Sequence, residues 1–348
     1  MSIKTDQPDA LNVYLVNSGF QTVASVTLAN KRKNNIFICF EQFLLNSVQS
    51  INSDWAARTI KFEKKKGLLG RRRGVVSYLM RIFALLSTFP QKKVNFYMIT
   101  IVGSEYNYII DRAVSQYGAE NVTFNIIPDG SSNIAIEYFS SERKKARVQK
   151  RRVSWLDRAY NLRYTPYSGD KRGILSDIVN KIYTIPGLSH EYPPAKCEAL
   201  PVPRDTLKVG NGKKKALILG QTLCNDQLMS SLEELEVKKK IINFLSCENV
   251  ESIYYLPHTV AKIYKIPYEL MIDGAQLVNS DKPFELYMLD EQFDYIISVY
   301  STALITAKLF FGHRTRVVSI GSGLVSASTT DFFTNFSLYN EIGIEVIQ

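Results

Sequence analysis

The sequence contains few of the residues that bind metals or form disulfides. Its 348 residues include three histidines and four cysteines, and no two cysteines form a CxxC pair. No histidine stands at metal-ligand spacing from a cysteine. We therefore predict free thiols, no bound metal and no cofactor, and the scattered thiols indicate a reducing cytoplasm.

A long uninterrupted hydrophobic run is also missing. Residues 1–11 are polar, so no signal peptide is evident. The longest apolar run extends from Gly74 to Pro90, and Arg81 interrupts it. A run this short and charged favours a buried helix, with a membrane-contacting helix as the alternative. These features predict a cytoplasmic protein.

Positive charge is in excess and unevenly spread. The net charge is +10, and the basic residues concentrate in 31–33, 61–73 and 143–152. Such clusters attract nucleic acid, anionic lipid or a phosphorylated ligand, although each is also compatible with a solvated face. No nucleic-acid-binding motif is present and the 20 tyrosines are dispersed, so nucleic-acid binding is a remote alternative that a filter-binding salt series tests. The position of all three clusters in the N-terminal half favours one anionic partner for that half.

Short apolar runs alternate with helical patterns in both halves of the chain. Strands are predicted over 11–16, 36–40, 94–102, 122–127, 215–219, 252–256, 295–299 and 316–319. Helices are predicted over 20–30, 105–117, 229–246, 284–291 and 302–311. This alternation is typical of α/β proteins with parallel sheets. Because prolines accumulate between the halves, we predict domains over 1–163 and 210–348, joined by a proline-rich linker over 164–209.

Polar groups follow three of the predicted strands. Asp129 and Gly130 come after the strand 122–127, His258 after 252–256, and Ser301-Thr302 after 295–299. A carboxylate in an apolar strand mouth can act as a general base, and hydroxyls at a helix N-terminus can bind an anion. Taken singly, the motifs are better explained as an ordinary turn at Asp129, a structural histidine at His258 and a plain N-cap at Ser301.

The order of the three motifs resembles that of the bacterial sialyltransferases of GT-B type. Those enzymes carry an acidic Asp-Gly motif, a motif containing histidine and proline, and a pair of serines. The sequence is most similar to glycosyltransferase family 52, the lipooligosaccharide and O-antigen sialyltransferases, and the polysialyltransferases and family 80 share the motif logic. The stretch from Phe124 to Tyr138 is the most family-like. The resemblance implies an α/β fold of GT-B type, with two Rossmann-like domains facing a central cleft.

The resemblance implies a role for each motif. Asp129 is the general base, and His258 binds the phosphate of CMP and can protonate it. Ser301 and Thr302 bind the same phosphate. The other residues implied at the nucleotide are Gly220, Gln221 and Glu285, of which Glu285 grips the ribose hydroxyls. The residues implied at the acceptor and the cleft are Asn17, Ser18, Gly19, Gly130 and Asn133.

The implied reaction is metal-independent, inverting transfer of sialic acid from its CMP-activated form. The implied acceptor is a terminal sugar, galactose by default, on lipopolysaccharide, O-antigen or capsule, free or lipid-linked. No Asp-x-Asp triplet occurs, which agrees with a monophosphate leaving group that needs no bound cation. The basic half suggests peripheral contact with the inner face of the cytoplasmic membrane, and a homodimer is a further expectation.

Three positions depart from the family pattern. Pro128 replaces an acidic residue, Thr259 replaces a proline and Thr302 replaces a serine. Threonine keeps the hydroxyl, but the other two changes leave the donor open. The alternatives are another CMP-nonulosonic acid or a nucleotide diphosphate sugar, and incubation with CMP- and UDP-sugars separates them.

Overall fold

The protein divides into two compact units. The computed structural model describes residues 9–60, 68–101, 104–127, 155–159, 161–165, 167, 173–187, 192–201, 213–280, 282–325 and 336–348. The first unit comprises Met1–Ile185 and His190–Pro201, and the second comprises Pro186–Ser189 and Val202–Gln348. Each unit is built on its own β-sheet.

The first unit contains a seven-stranded parallel sheet in the order β3-β2-β1-β4-β5-β6-β7. Its strands are β1 (Leu11–Val16), β2 (Asn35–Cys39), β3 (Ala56–Thr59), β4 (Val94–Met98), β5 (Val122–Ile126), β6 (Val179–Thr184) and β7 (Cys197–Ala199). Every residue of the central strands β1, β2 and β4 is buried. Burial on both faces is expected where helical crossovers connect parallel strands.

The second unit contains a six-stranded parallel sheet in the order β10-β9-β8-β11-β12-β13. Its strands are β8 (Lys215–Leu219), β9 (Ser252–Leu256), β10 (Gln276–Leu277), β11 (Tyr295–Ser298), β12 (Arg316–Ile320) and β13 (Glu345–Ile347). The chain runs outward from β8 to β10 and then returns to the other side of β8 with β11. The strand order therefore reverses between β8 and β11.

Helices connect the strands in both units. Those of the first unit are α1 (Gly19–Ala29), α2 (Gln42–Ile51), α3 (Leu68–Leu86), α4 (Ser104–Tyr117) and α5 (Trp155–Ala159). Those of the second unit are α6 (Ser231–Cys247), α7 (Thr259–Tyr264), α8 (Phe284–Asp290), α9 (Thr302–Phe311) and α10 (Phe336–Glu341). The longer ones bury an apolar stripe; α6, for example, buries Val237, Ile241 and Phe244.

The alternation of side chains along β1 separates two layers of the first unit. Leu11, Val13 and Leu15 belong to a buried apolar cluster that includes residues of α3 and α4. Asn12 and Tyr14 point to the opposite face because successive strand residues alternate. There Tyr14 stacks on a phenylalanine of β2 and a tyrosine of β4, with ring centroids 4.9 and 4.5 Å apart.

The structure differs from the sequence prediction between residues 164 and 209. Strands β6 and β7 lie within the predicted linker, and they extend the first sheet beyond β5. Prolines such as Pro193 and Pro201 stand outside these strands, where a missing N–H costs no ladder hydrogen bond. The high proline content of 164–209 therefore led to the prediction of a linker in a segment that contains two short strands.

The apolar run from Gly74 to Pro90 forms most of α3, as a helix that contributes to the buried cluster of the first unit. Among the described residues, no helix is long and apolar enough to cross a membrane. The basic cluster 31–33 follows α1. The cluster 143–152 and most of 61–73 lie outside the described residues.

Candidate functional site

Three neighbouring strands of the second sheet end at one edge. β8 pairs in parallel with β9 on one side and with β11 on the other. Gly220 and Gln221 follow β8, His258 follows β9, and Ser301 follows β11. Ligands of open α/β sheets bind outside the carboxyl ends of strands where the strand order reverses. The structure therefore brings these predicted residues to the edge that favours ligand binding.

Gly220 permits the turns after β8 and β9 to approach closely. A Cβ atom at this position would collide with the hydroxyl of Tyr255 and lie 3.2 Å from the backbone nitrogen of His258. The N–H of Gly220 also donates to the carbonyl of Leu256 at 2.9 Å. Any side chain here would separate the two strand ends, so glycine sets the position of His258 relative to β8.

Gln221 joins the β8 turn to the end of β11. Its buried Oε1 accepts hydrogen bonds from the hydroxyl of Ser298 at 3.0 Å and from the N–H groups of Val299 and Tyr300 at 3.2 and 2.9 Å. Its Nε2 donates to the carbonyl of Tyr300. Both ends of the amide are thus engaged within the protein, and they fix the turn that precedes Ser301.

This arrangement predicts a loss of stability when the amide is removed. A Gln221→Met variant should lower the free energy of unfolding by about 1–3 kcal/mol, because buried N–H groups lose their acceptor. Urea unfolding measures the change. The matched control is Gln276→Met, since Gln276 is exposed on the edge strand β10. Equal stability of the two variants would show that the amide does not hold this turn.

Ser301 immediately precedes α9, and hydrogen bonds to its side chain and to its backbone hold it in place. As the N-cap residue, it accepts a hydrogen bond at its Oγ from the N–H of Ala303 at 3.1 Å. The buried hydroxyl of Tyr339, on α10, accepts from the Ser301 N–H at 3.0 Å and donates to the Ser301 carbonyl at 3.1 Å. Capping explains why this sequence starts a helix here. The tyrosine hydroxyl fixes the backbone of the capping residue.

The same bonds determine what α9 can offer to a ligand. Leu304 N–H donates to the Ser301 carbonyl at 3.0 Å, so the N–H groups of 301, 303 and 304 all have acceptors. Within the described ranges, the Thr302 N–H is the amide of the first turn that has no acceptor. Its half-buried hydroxyl lies beside it. An anion at this helix start would therefore bind through Thr302 and the rotatable hydroxyl of Ser301.

His258 lies at the rim of this edge, with part of its surface open to solvent. Desolvation by the surrounding protein holds the pKa of the imidazole below its ordinary value of 6.5, and the carboxylates of Asp226 and Glu269 partly oppose this decrease. The imidazole is thus mainly neutral at pH 7 before an anion binds. A phosphate nearby would raise its pKa and favour the protonated form.

Two carboxylates organise the loop after β8. Buried Glu269 accepts hydrogen bonds from the N–H groups of Cys224 and Asn225 at 2.8 and 2.9 Å. Asp226 accepts from the hydroxyl of Thr222 at 2.6 Å. These bonds fix the conformation of the loop. Both carboxylates lie close enough to His258 to act on its pKa. The free site therefore places two carboxylates near a mainly neutral imidazole.

Glu285 lies in the first turn of α8, where it is half-buried. This helix packs against α9. Glu285 is therefore carried by a helix that packs on α9, whereas the other predicted residues of this unit follow the ends of strands.

Sequence reasoning missed three residues that shape this edge. Ser298 and Glu269 are polar residues within apolar stretches, YIIS and ELMI, and such interruptions are the signal that could have identified them. Tyr339 carries no comparable local signal, because its partner is residue 301.

In the first unit, Asn17, Ser18 and Gly19 follow β1, next to the point where strand order reverses between β1 and β4. Ser18 caps α1, and its Oγ accepts from the N–H of Gln21 at 3.2 Å. The Asn17 N–H donates to the side-chain oxygen of Gln21 at 2.9 Å. The predicted turn is thus an N-terminal helix cap at a strand end.

The residues predicted around the general base are not among those that the structure describes. Asp129, Gly130 and Asn133 lie outside the described residues, which end here at the buried Ile127, one residue after β5. Their roles stay predictions from the sequence.

The described part of the chain contains neither a candidate metal cluster nor a disulfide. No cluster of three or more histidine, cysteine or acidic side chains suited to a metal occurs there. All four cysteines are free, and burial raises the pKa of Cys39 to about 12. Buried, protonated thiols of this kind are unreactive.

The chain matches one sequence family over part of its length, and it resembles solved structures in fold. Residues 164–319 match the model of the family described as alpha-2,8-polysialyltransferase (POLYST). No curated protein matches the chain. The matched segment covers somewhat less than half of the 348 residues and contains every residue predicted at the nucleotide.

Solved structures resemble the chain over nearly its whole length. An alpha/beta-galactoside alpha-2,3-sialyltransferase from Photobacterium phosphoreum has 11% identity and a TM-score of 0.55, with 98% of each chain covered. A UDP-GlcNAc 2-epimerase from Neisseria meningitidis has 12% identity and a TM-score of 0.48, covering 97% of this chain and 95% of its own. The predicted α/β fold of GT-B type is confirmed. With the family match, so are the resemblance to bacterial GT-B sialyltransferases and the prediction of a glycosyltransferase.

Proposed function

We propose that the protein transfers sialic acid from CMP-sialic acid to the terminal sugar of a bacterial surface glycan, with inversion at the anomeric carbon. Galactose on lipopolysaccharide, O-antigen or capsule is the proposed acceptor. The observation that carries the proposal is the meeting of three strand ends in the second unit, at Gly220, His258 and Ser301, inside the segment that matches the polysialyltransferase family.

The proposed nucleotide site uses the carboxyl edge of the β9-β8-β11 group. The phosphate of CMP would accept hydrogen bonds from the Thr302 N–H and from the hydroxyls of Ser301 and Thr302. His258 would approach the same phosphate and become protonated as negative charge develops on the leaving group. Groups placed where charge develops stabilise the transition state more than the ground state. Glu285 is proposed to bind the ribose hydroxyls.

The acceptor reacts from the other side of the sugar. Asp129 would remove the proton from the acceptor hydroxyl, whose oxygen forms a bond to the anomeric carbon as the bond to CMP breaks. The electron pair of the broken bond leaves with CMP, and His258 can supply a proton to its phosphate. The products are one glycoside and CMP. Asn17, Ser18, Gly19, Gly130 and Asn133 are proposed to line the acceptor side.

Product analysis tests the donor and the acceptor together. The protein is incubated with CMP-Neu5Ac or UDP-sugars and a panel of galactosides, and the products are analysed by mass spectrometry. The proposal expects addition of one sialic acid with CMP-Neu5Ac and no product with UDP-sugars. A ladder of products would extend the proposal to polymerisation, which the name of the matched family suggests. Transfer from UDP-sugars alone would overturn the proposed donor.

Activity should persist when divalent cations are removed. The prediction follows from the sequence, which lacks an Asp-x-Asp triplet, and from the smaller charge of a monophosphate leaving group. Initial rates are compared with and without excess EDTA, using Mg²⁺ addition as the control. Loss of activity in EDTA that Mg²⁺ restores would contradict the metal-independent mechanism.

Peripheral contact with the inner face of the cytoplasmic membrane is also proposed, because a lipid-linked glycan is among the proposed acceptors. The excess of basic residues in the N-terminal half supports it. A homodimer is proposed as well, and its test is the molar mass in solution.

A further inference from the structure

Exposed apolar side chains lie on three helices of the first unit. Met80 on α3 is 68% exposed and Trp155 at the start of α5 is 73% exposed. Val114 on α4 is also exposed. Helix α3 packs against both α4 and α5, so the three residues belong to one helical layer. Large exposed apolar side chains on a common layer indicate an interaction surface.

Arginines accompany these apolar residues. Arg81 follows Met80 directly, Arg112 precedes Val114 on α4, and Arg158 lies on α5; all are exposed. Arg163 is exposed just beyond α5. Among the described residues, neither Arg112 nor Arg163 takes part in an ion pair with a carboxylate. The layer thus combines apolar and cationic groups on its surface.

The acidic residues of these three helices, Glu105, Asp111 and Asp157, are all buried or half-buried. Asp157 on α5 is buried, and the hydroxyl of Tyr108 donates to it at 3.3 Å. Asp111 is half-buried, and burial raises the pKa of its carboxyl while Arg163 and Arg112 oppose the increase. The exposed charge of the layer is therefore predominantly positive.

A pocket of 230 Å³ opens between these elements. Arg112 and Arg163 line it together with Ser115, Asn161 and Leu79, and the one carboxylate in its lining, that of Asp111, is outnumbered by the two guanidinium groups. Two guanidinium groups beside a hydroxyl and an amide are suited to bind a phosphate group.

We propose that the exposed layer of α3, α4 and α5 is a docking surface for an anionic lipid bilayer. Trp155 and Met80 enter the interfacial region, and the arginines contact headgroup phosphates, one of which occupies the pocket at Arg112 and Arg163. Tryptophan favours the membrane interface because its ring is apolar and its N–H is polar. Arginine binds phosphate while its stem stays in apolar surroundings. This mixture is complementary in charge to an anionic lipid surface and similar to it in polarity.

The inference rests on one part of the proposed function, the peripheral membrane contact, and it names the surface that makes this contact. Vesicle binding is measured without donor or acceptor. Failure of the docking surface and failure of the transferase activity therefore give separate results.

Fluorescence provides the first test, because the chain has two tryptophans, Trp55 and Trp155. Trp55 stacks on Phe37, with ring centroids 5.0 Å apart. In a Trp55→Phe variant, vesicles of brominated phosphatidylcholine and phosphatidylglycerol should quench the remaining emission and shift it to the blue. In a Trp155→Phe variant, the emission of Trp55 should be unchanged. Equal quenching of both variants, or of neither, would overturn the proposed orientation.

Vesicle sedimentation with the full chain provides the second test. Met80→Ser with Trp155→Ser should weaken binding to phosphatidylglycerol vesicles at least tenfold. The matched control is Leu232→Ser with Tyr264→Ser, since these residues of the second unit are 80% and 72% exposed. Arg112→Gln, Arg158→Gln and Arg163→Gln should weaken binding more than the same loss of charge at Lys213, Lys239 and Lys265. Vesicles of pure phosphatidylcholine should bind weakly throughout.

The variants also separate lipid from other occupants of the surface. Unchanged binding in the Met80 and Trp155 variant would overturn the proposal, as would equal loss in its control. A dimer that forms without lipid and is lost in the same variant, with no vesicle binding by the wild type, would assign the surface to a second copy of the chain.

Discussion

An Asp129→Asn variant should fold normally, bind CMP as the wild type does, and transfer sialic acid about 10²–10⁴-fold more slowly. Asparagine has nearly the same shape as aspartate but cannot accept the proton of the acceptor hydroxyl. The loss should therefore appear in single-turnover rates with saturating substrates. Calorimetric titration with CMP checks that the nucleotide site is intact.

The control for this variant is Asp54→Asn, because Asp54 is an exposed aspartate of the same unit. It should leave the transfer rate unchanged. A transfer rate near that of the wild type in Asp129→Asn would show that another group takes the proton. Since Asp129 was assigned from the sequence alone, this result would weaken the proposed acceptor side without affecting the nucleotide side.

Replacing His258 should reduce both CMP affinity and the rate of the chemical step. His258→Ala removes a group that meets negative charge as CMP leaves, so the effect on kcat should accompany a rise in the dissociation constant of CMP. His258→Gln retains a hydrogen-bond donor but not the charge, and it should recover part of the affinity and little of the rate. His313→Gln serves as the control because His313 is exposed in a turn.

The pH dependence of CMP binding isolates the contribution of His258. Its pKa is lowered in the free protein, and only the protonated imidazole attracts the phosphate strongly. Affinity for CMP should therefore rise as pH falls below 6.5 and decrease as pH increases. The phosphate of CMP titrates in every variant, so the difference between wild type and His258→Gln reports the imidazole. Parallel pH profiles in the two proteins would remove His258 from the phosphate site.

The hydroxyls at α9 require a more selective change than a double alanine variant. Ser301→Ala, Thr302→Ala should weaken CMP binding, but it also removes the N-cap, which commonly contributes about 1 kcal/mol. Thr302→Val removes one of the two proposed phosphate-binding hydroxyls and keeps the N-cap, because the cap belongs to Ser301. The N–H of Thr302 remains available in both variants, so CMP binding should be weakened rather than lost.

Much of the fold could be predicted from local patterns. The predicted strands 11–16 and 215–219 have the bounds of β1 and β8, because each is a short apolar run with turn residues after it. The strand β3 was missed, since its sequence AART carries no apolar alternation. The two-residue strand β10 is too short to produce a pattern. These strands form through pairing with neighbours, which a local pattern does not record.

The candidate site was predictable to a smaller extent. Strand-end polar residues such as His258 and Ser301 could be identified because parallel strands place their carboxyl ends at one edge. The role of Gln221 could not, because its partners at 298–300 are distant in sequence and its amide has no local signature. The same holds for the shifted pKa of His258, which depends on desolvation and on two carboxylates from separate loops.

The hydroxyl bridge between Tyr339 and Ser301 has a practical consequence for truncated fragments. The segment matching the polysialyltransferase family ends at residue 319, whereas the tyrosine and the edge strand β13 come later in the chain. A recombinant fragment cut at the family boundary would leave β12 with an unprotected edge and the start of α9 without its anchor. Such a fragment would be prone to aggregation. Its failure to bind nucleotide would reflect the cut and would say nothing about the binding residues that it retains.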